Sequence, residues 1–205
     1  MFAATMMAAM TFLVQVVACD SGRDPEYVVG LCADGESENP ECGTGFAVDD
    51  RTIVTARHVV QNVDGSWKTG LFVKATQYYG EDLEGEVMYV SETYDIALVR
   101  VEKHLDDVIP MCDSNLVEVG DEVETHGFFG RASIETSKGV VSRFYGDIIS
   151  STAKSRDGFS GGPLVWVDQE GGEDCAVGVV YAHVNPTGNA LASPLGPAFM
   201  SLDKK

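Results

Sequence analysis

The sequence predicts an all-β fold of two packed six-stranded antiparallel barrels. Short apolar runs rich in valine recur from Gly43 onward, and turn residues such as Asp64-Gly65 separate them. Many short strands at this spacing are typical of antiparallel sandwiches and barrels. The runs divide near residues 109–115 with about six strand candidates on each side, so two small barrels packed together are expected.

The first barrel is expected over about residues 42–108 and the second over about residues 113–200, within one domain that covers residues 42–205. The candidate strands of the first barrel are TGFAV, TIVTA, GLFVKA, GEVMYV and DIALVRV. Those of the second include VGDEVETHGF, KGVVSRFYG, GGPLVWV and CAVGVVYAHV. A short helical turn is expected at residues 56–61. A chain of 205 residues is long enough for two small barrels that share an interface.

The first 18 residues contain no charged side chain, end in small residues and precede a polar stretch. This pattern is typical of the apolar core and cleavage region of a signal peptide. No lysine or arginine precedes Arg23, so the basic start of a signal peptide is missing. An uncleaved apolar anchor is the alternative, since 18 residues are near the minimum that spans a bilayer. We expect residues 1–18 to be a signal peptide and the chain to be exported.

The segment that ends in Val-Val-Ala-Cys19 resembles a bacterial lipobox, in which the cysteine becomes the lipid-bearing first residue. Ordinary signal-peptidase cleavage, which needs small residues at the same places, is the alternative. The chain has five cysteines, and lipidation of Cys19 would leave four for two disulfides in an oxidising compartment. Residues 19–41 are then interpreted as a tether or loop between the cell envelope and the folded domain.

The charge balance excludes two classes of partner. The chain has 32 acidic and 14 basic residues, which gives a formal net charge of −18. Such a field repels nucleic acid and anionic membrane surfaces. No nucleic-acid partner is therefore expected, and membrane contact is expected only through an N-terminal lipid or signal anchor.

A glycine-rich motif, GFSGGPL, lies at residues 158–164 between a polar loop and an apolar strand. A nucleophilic serine needs an exposed hydroxyl on a tight turn, with backbone N–H groups directed at the developing oxyanion. Glycines on both sides of Ser160 permit that conformation. A hairpin turn with an incidental serine is the alternative, and the seven-residue motif as a whole favours the nucleophile.

Two further motifs supply the partners that such a serine requires. His58 follows the apolar run IVTA at the start of the expected helical turn, where a general base could be held. Asp95 opens the run IALV, where its carboxylate could orient the histidine. Separately, the two residues would be interpreted as a surface histidine and a solvated strand cap. The chain order His58, Asp95, Ser160 matches one of the known catalytic-triad arrangements.

On these residues the sequence resembles the trypsin-like serine proteases, and among them the compact bacterial branch that includes the HtrA/Deg protease domains. The similarity runs from about Cys42 to Met200 and covers CGTGFAVDDRTIVTARHVV, YDIALVRV, VGDEVETHGFFG and DGFSGGPLV. The resemblance implies a chymotrypsin-like fold with the active site between the barrels. It makes His58 the base, Asp95 its orienting carboxylate and Ser160 the nucleophile. The backbone N–H groups of Gly158 and Ser160 would form the oxyanion hole.

The sequence departs from digestive trypsins at two positions. Phe159 stands where those enzymes carry an aspartate that pairs with a newly cut N-terminus, so no such zymogen switch is expected. Val59 stands where trypsins place the disulfide partner of the residue at Cys42. The resemblance therefore leaves Cys32 as the nearest partner of Cys42, and a second pair is expected between Cys112 and Cys175. No PDZ domain is expected after the protease domain.

The resemblance also indicates where a substrate side chain would bind. In the family the loop before the nucleophile and the strand at residues 180–183 line the primary pocket, which implies substrate contacts for Lys154, Val180, Tyr181 and Ala182. Basic residues in that loop, Lys154 and Arg156, favour an acidic substrate side chain, and a solvated loop is the alternative. Glu-specific endopeptidases of this fold carry a histidine at one position of this strand. His183 lies a few residues away from that position.

We therefore predict a serine endopeptidase that cleaves polypeptides through an acyl-enzyme, with no metal and no organic cofactor. Two alternatives remain from the sequence. One is a catalytically inactive binding module with a protease fold, which would usually lack a triad residue. The other is a Glu-specific endopeptidase of the same fold, which differs only in its substrate.

Overall fold

The computed structural model describes residues 25–33, 41–68, 71–75, 82–129, 133–169 and 171–196. In this part of the chain the dominant elements are twelve β-strands. The first six are β1 (Val28–Ala33), β2 (Glu41–Ala47), β3 (Thr52–Thr55), β4 (Leu71–Ala75), β5 (Asp82–Val90) and β6 (Ala97–Val101). The remaining six are β7 (Glu122–Phe129), β8 (Ser133–Tyr145), β9 (Ile148–Lys154), β10 (Pro163–Trp166), β11 (Cys175–Val184) and β12 (Asn189–Pro194).

The strands form two closed antiparallel barrels, which confirms the predicted fold class. The first barrel has the strand order β1-β2-β3-β6-β5-β4, and the second has the order β10-β11-β12-β9-β8-β7. A one-turn helix, α1 (Arg57–Val60), follows β3, and a short 3₁₀ helix, Ser114–Leu116, lies between the barrels. Closure leaves no free sheet edge to be covered, which is how small barrels satisfy their backbone hydrogen bonds.

Alternating side chains of the strands fill each barrel. In β6, for example, Ala97, Val99 and Val101 are buried, because successive side chains of a strand point to opposite faces. The core of the first barrel also includes apolar side chains of the second barrel, namely Val165, Ala176, Val179 and Leu195. The two barrels are thus joined by a continuous apolar interface.

The chain segment that connects the two barrels is joined to the second barrel by hydrogen bonds and a disulfide. It runs from the end of β6 to the start of β7 and contains residues 109–115, where the sequence predicts the division. The backbone N–H and C=O groups of Ala176 bond to Pro110 and Cys112, each at 2.9 Å. Cys112 and Cys175 form a disulfide at the same place.

The N-terminal boundary of the first barrel differs from the prediction. The sequence places residues 28–33 in the tether, but all six residues of β1 are buried between β2 and β4. The barrel could not close without this strand. Cys32 and Cys42 lie opposite each other in β1 and β2 and form a disulfide. The predicted signal peptide at residues 1–18, the lipidation site Cys19 and the first part of the tether lie outside the described residues.

Within the described ranges, the structure contains no helix that combines the length and apolarity needed to cross a membrane.

Candidate active site

The register of the first barrel places His58 beside Asp95. Thr55, the last residue of β3, pairs with Ala97, the first residue of β6. His58 lies three residues after Thr55, and Asp95 lies two residues before Ala97. The side chains of His58 and Asp95 therefore lie at the same edge of the barrel. Val59 and Val60 are buried and anchor α1 on the barrel. The side chain of His58 remains 47% exposed, so part of the ring is accessible.

The carboxylate of Asp95 holds His58 through two hydrogen bonds. Nδ1 of the ring lies 2.6 Å from Oδ2, and the backbone N–H of His58 donates to Oδ1 at 3.0 Å. A carboxylate can only accept, so Nδ1 carries the hydrogen and Nε2 of the neutral ring has a free lone pair. This arrangement is the one that a general base requires.

Asp95 is ionised at neutral pH. Burial raises the pKa of its carboxyl group, but the hydrogen bonds and charge of His58 and the charge of Arg57 outweigh burial and lower the pKa below its ordinary value. Arg57 is held in place by the backbone carbonyl of Ser91, at 3.1 Å. In the second barrel, burial and the charge of Asp95 both raise the pKa of the Tyr181 phenol.

Ser160 lies in the second of two consecutive tight turns of the second barrel, in which the N–H of Gly162 donates to the carbonyl of Phe159 at 2.9 Å. The first of the two turns ends at Phe159. The N–H of Phe159 donates to the carbonyl of Arg156 at 2.9 Å, and Gly158 in the third position of this turn has a φ of 94°. A positive φ at that position is required in a type II turn and favours glycine. Phe159 is buried in the core of the second barrel and packs against Gly127, where any Cβ would meet its ring.

The turn that carries Ser160 is docked on the first barrel. The N–H of Thr44 in β2 donates to the carbonyl of Ser160 at 2.7 Å. Gly161, at a φ of 90°, lies so close to the backbone of Thr44 that a Cβ would be 2.0 Å from its carbonyl oxygen. The N–H of Gly161 donates to the carbonyl of Val180 in β11, at 2.7 Å. Both barrels therefore fix the backbone around Ser160.

The same stretch of β2 lies against both the segment that carries His58 and the segment that carries Ser160. A Cβ on Gly43 would lie 2.6 Å from the side chain of Val59 and 2.8 Å from the carbonyl oxygen of Ser160. The residue next to His58 and the backbone of Ser160 thus both lie against Gly43. Beside His58 and Asp95 opens a cavity of about 490 Å³, whose wall also includes the basic residues Arg57 and Lys68.

The residues expected to contact substrate lie around this turn. Val180 bonds to the turn that carries Ser160 through its carbonyl and, at 2.8 Å, through its N–H to Gly162. Tyr181 and Ala182 follow in β11. Lys154 ends β9, and its ammonium donates to the carbonyl of Thr187 at 3.0 Å and to Oδ1 of Asn189 at 2.8 Å.

Three further basic or histidine side chains lie in surroundings that differ from those of His58 and Lys154. Arg156 forms an ion pair with Glu135. His104 lies on the surface, with Nδ1 at 2.8 Å from Asp50. His126 is buried, which lowers its pKa to about 4. Within the described ranges, no three His, Cys, Asp or Glu side chains are grouped as metal ligands would be.

Two residues of the site are not identified by the sequence. Arg57 is part of the motif around His58, but its closeness to Asp95 becomes evident only in the folded barrel. Thr44 lies in a segment that the sequence predicts as an apolar strand. The signal that distinguishes it is a polar side chain between glycines in CGTGF.

Comparisons with known proteins agree with this architecture. The family model described as "Trypsin-like peptidase domain" matches residues 43–179, which is more than half of the chain. The human peroxisomal leader peptide-processing protease is 30% identical over 169 residues, and the match covers 71% of this chain. The matched region spans only 29% of the human protein. The narrower likeness to the bacterial HtrA/Deg branch stays a prediction. By the match over residues 43–179, the chain belongs to the trypsin-like peptidase family.

Proposed function

We propose that this trypsin-like peptidase is a serine endopeptidase in which Ser160 is the nucleophile, His58 the general base and Asp95 the residue that orients the base. The observation that carries the proposal is the 2.6 Å contact between His58 Nδ1 and Asp95 Oδ2 at the edge where the Ser160 turn docks. This contact leaves Nε2 of the ring as the proton acceptor.

The chemistry follows from these assignments. Oγ of Ser160 attacks the peptide carbonyl, and His58 Nε2 takes the hydroxyl proton. The N–H groups of Gly158 and Ser160 bind the developing oxyanion. His58 then gives the proton to the leaving amine, and water repeats the two steps on the acyl-enzyme. The carboxylate of Asp95 stabilises the imidazolium that forms in each half-reaction.

A fluorophosphonate probe tests the proposal directly. Oγ of an activated Ser160 forms a bond to phosphorus, the P–F bond breaks, fluoride leaves, and His58 takes the hydroxyl proton. We expect mass analysis of the labelled protein to locate one adduct, on Ser160. Ser160→Ala should abolish labelling, whereas Ser133→Ala, which removes an exposed hydroxyl at the start of β8, should not.

The same experiment separates the enzyme from an inactive binding module. An inactive binding module has no activated serine, so it would remain unlabelled or react slowly at several hydroxyl groups. Either of those results would contradict the proposed function.

A specific observation favours acidic substrate side chains on the acyl side of the cleaved bond. Among the described residues, both acceptors of the Lys154 ammonium are neutral oxygens, although the chain has a net charge of −18. Arg156, the other basic residue of the loop, is already paired with Glu135. Lys154 therefore provides the positive charge that remains available for a substrate carboxylate.

Lys154→Gln is expected to lower kcat/KM selectively for peptides with Glu or Asp at that substrate position. A charge-assisted hydrogen bond contributes about 1.5–3 kcal/mol, which corresponds to a loss of roughly tenfold to a hundredfold. Peptides with Ala or Leu there should be cleaved as well as before. Lys138→Gln, which removes a lysine charge elsewhere on the second barrel, is the control. An equal loss for all peptides would exclude the acidic preference.

The cellular location of the protein is proposed from its cysteines and its N-terminal sequence. The two disulfides indicate an exported protein, because such bonds persist in oxidising compartments. The finer proposal is a cleaved signal peptide at residues 1–18 and a lipid on Cys19. Its support is the uncharged apolar run, the Val-Val-Ala-Cys ending and the fact that the other four cysteines are paired. Ordinary secretion remains the alternative.

A further inference from the structure

Thr44 is a fully buried polar residue in β2 whose hydrogen-bonding groups are all used. Its N–H donates to the carbonyl of Ser160 at 2.7 Å, and its own carbonyl accepts from the hydroxyl of Thr55 at 2.6 Å. Its hydroxyl lies 2.7 Å from the backbone N–H of Phe128 and 2.5 Å from the carbonyl oxygen of Gly158.

The direction of these hydroxyl bonds is fixed by their partners. The N–H of Phe128 can only donate, so the oxygen of the Thr44 hydroxyl accepts there. The single hydroxyl hydrogen is then left for the carbonyl of Gly158. Thr44 in the first barrel thereby links β7 of the second barrel to the turn that precedes Ser160.

The two carbonyl groups that Thr44 binds belong to Gly158 and Ser160, the residues proposed to donate their N–H groups to the oxyanion. The carbonyl of Gly158 belongs to the peptide unit between those two N–H groups. Gly158 has no Cβ, so its backbone can rotate more freely than that of any other residue. The orientation of this peptide unit therefore depends on the hydrogen bonds of its two polar groups, the Gly158 carbonyl and the Phe159 N–H.

Two other contacts of the turn act on the same peptide unit. Phe159 is buried against Gly127, but apolar packing has no directional preference for one orientation of the preceding carbonyl. The N–H of Phe159 is the other polar group of the same peptide unit, and it donates to the carbonyl of Arg156 at 2.9 Å. That bond restrains the N–H end of the unit, and the Thr44 hydroxyl restrains its carbonyl end.

We propose that Thr44 is a positioning residue for the oxyanion hole. Its hydroxyl holds the peptide unit between Gly158 and Phe159 so that the N–H groups of Gly158 and Ser160 point at the same oxygen. This inference rests on the proposed function, in which Ser160 is the nucleophile.

Thr44→Val tests the inference, because valine keeps the shape of threonine and lacks the hydroxyl. Loss of one oxyanion-hole donor lowers kcat by about 10²–10³ in a serine protease. We expect a fall in kcat on the order of 10², with KM changed less than about threefold. Thr44→Ser keeps the hydroxyl and should restore kcat to within a few-fold of wild type.

A peptide aldehyde provides a readout that a merely structural role would not change. Ser160 Oγ adds to the aldehyde carbon, its proton passes to His58, and the former carbonyl oxygen becomes an oxyanion in the hole. Thr44→Val should weaken inhibition by this aldehyde by the same factor as kcat/KM. The corresponding peptide alcohol, which forms no oxyanion, should bind both proteins equally.

Two controls keep the result interpretable. Ser151→Ala removes another fully buried hydroxyl, from β9, and should lower thermal stability without lowering kcat. If Thr44→Val does not fold, Thr44→Cys, whose thiol is a weak donor, should show an intermediate loss of kcat.

The outcomes also separate this inference from the proposed function. An active wild-type protein, with Thr44→Val within threefold of its kcat, would overturn the role of Thr44 and leave the triad intact. A wild-type protein that neither binds the aldehyde nor labels with fluorophosphonate would overturn both.

Discussion

Ser160→Ala is expected to lower kcat by about 10⁶, as deletion of the nucleophile does in serine proteases. The hydroxyl oxygen is the atom that forms the acyl-enzyme, and alanine offers no replacement. The fold should persist, because the bonds that hold this turn involve the backbone: the Ser160 carbonyl bonds to Thr44 and the N–H of Gly161 bonds to Val180. Initial rates on casein and on a chromogenic peptide measure the change.

Two further measurements make this expectation specific. The melting temperature of Ser160→Ala should stay near that of wild type, and the variant should still bind peptide substrates with similar affinity. Casein cleavage by Ser160→Ala at near wild-type rate would contradict the assignment of the nucleophile. The residual rate above that of the uncatalysed reaction reports what binding and the oxyanion hole contribute alone.

The fold class was predictable because strand periodicity and turn residues are local signals. β6 shows this well, since its alternating burial is visible in the sequence ALVRV. β1 was missed for the opposite reason. Its six residues, VVGLCA, are all buried and so do not alternate, and acidic and glycine-rich segments flank them. That these residues form a strand is decided by β2 and β4, which lie on either side of β1 in the closed barrel.

The candidate site likewise contains residues that local sequence signals identify and residues that they do not. His58, Asp95 and Ser160 each lie in a short motif whose residue types have a chemical reason, so the sequence pointed to them. Thr44 and Arg57 make contacts between elements that are distant in the chain. The bond from Thr44 to Gly158 joins residues 114 positions apart. No local pattern encodes such a contact, and only the packing of one barrel on the other creates it.

Asp95→Asn is expected to lower kcat by roughly 10⁴ while the protein still folds. The side-chain amide of the variant can keep the bond from the backbone N–H of His58 through its oxygen. Its NH₂ group would then face Nδ1 and donate to it, which moves the ring hydrogen to Nε2. In that tautomer Nε2 has no lone pair for the proton of Ser160, and the imidazolium loses the nearby negative charge that stabilises it.

Asp50→Asn is a matched control, because Asp50 also contacts a histidine Nδ1, that of His104, at 2.8 Å on the exposed surface. The same chemical change there should leave kcat unaltered. If Asp50→Asn lowered kcat as much as Asp95→Asn, the loss would reflect general electrostatics and the assignment of Asp95 would be wrong.

The pH dependence of stability identifies Asp95 independently of activity. Its pKa is lower in the folded protein than its ordinary value, so its ionised form stabilises the fold at neutral pH. That stabilisation is lost as the pH falls through the lowered pKa, where the carboxylate becomes protonated. The free energy of unfolding of wild type should therefore exceed that of Asp95→Asn most at neutral pH, and the difference should shrink in acid. A difference that stays constant down to the pH of acid unfolding would mean that the carboxylate does not bind His58 as the 2.6 Å contact indicates.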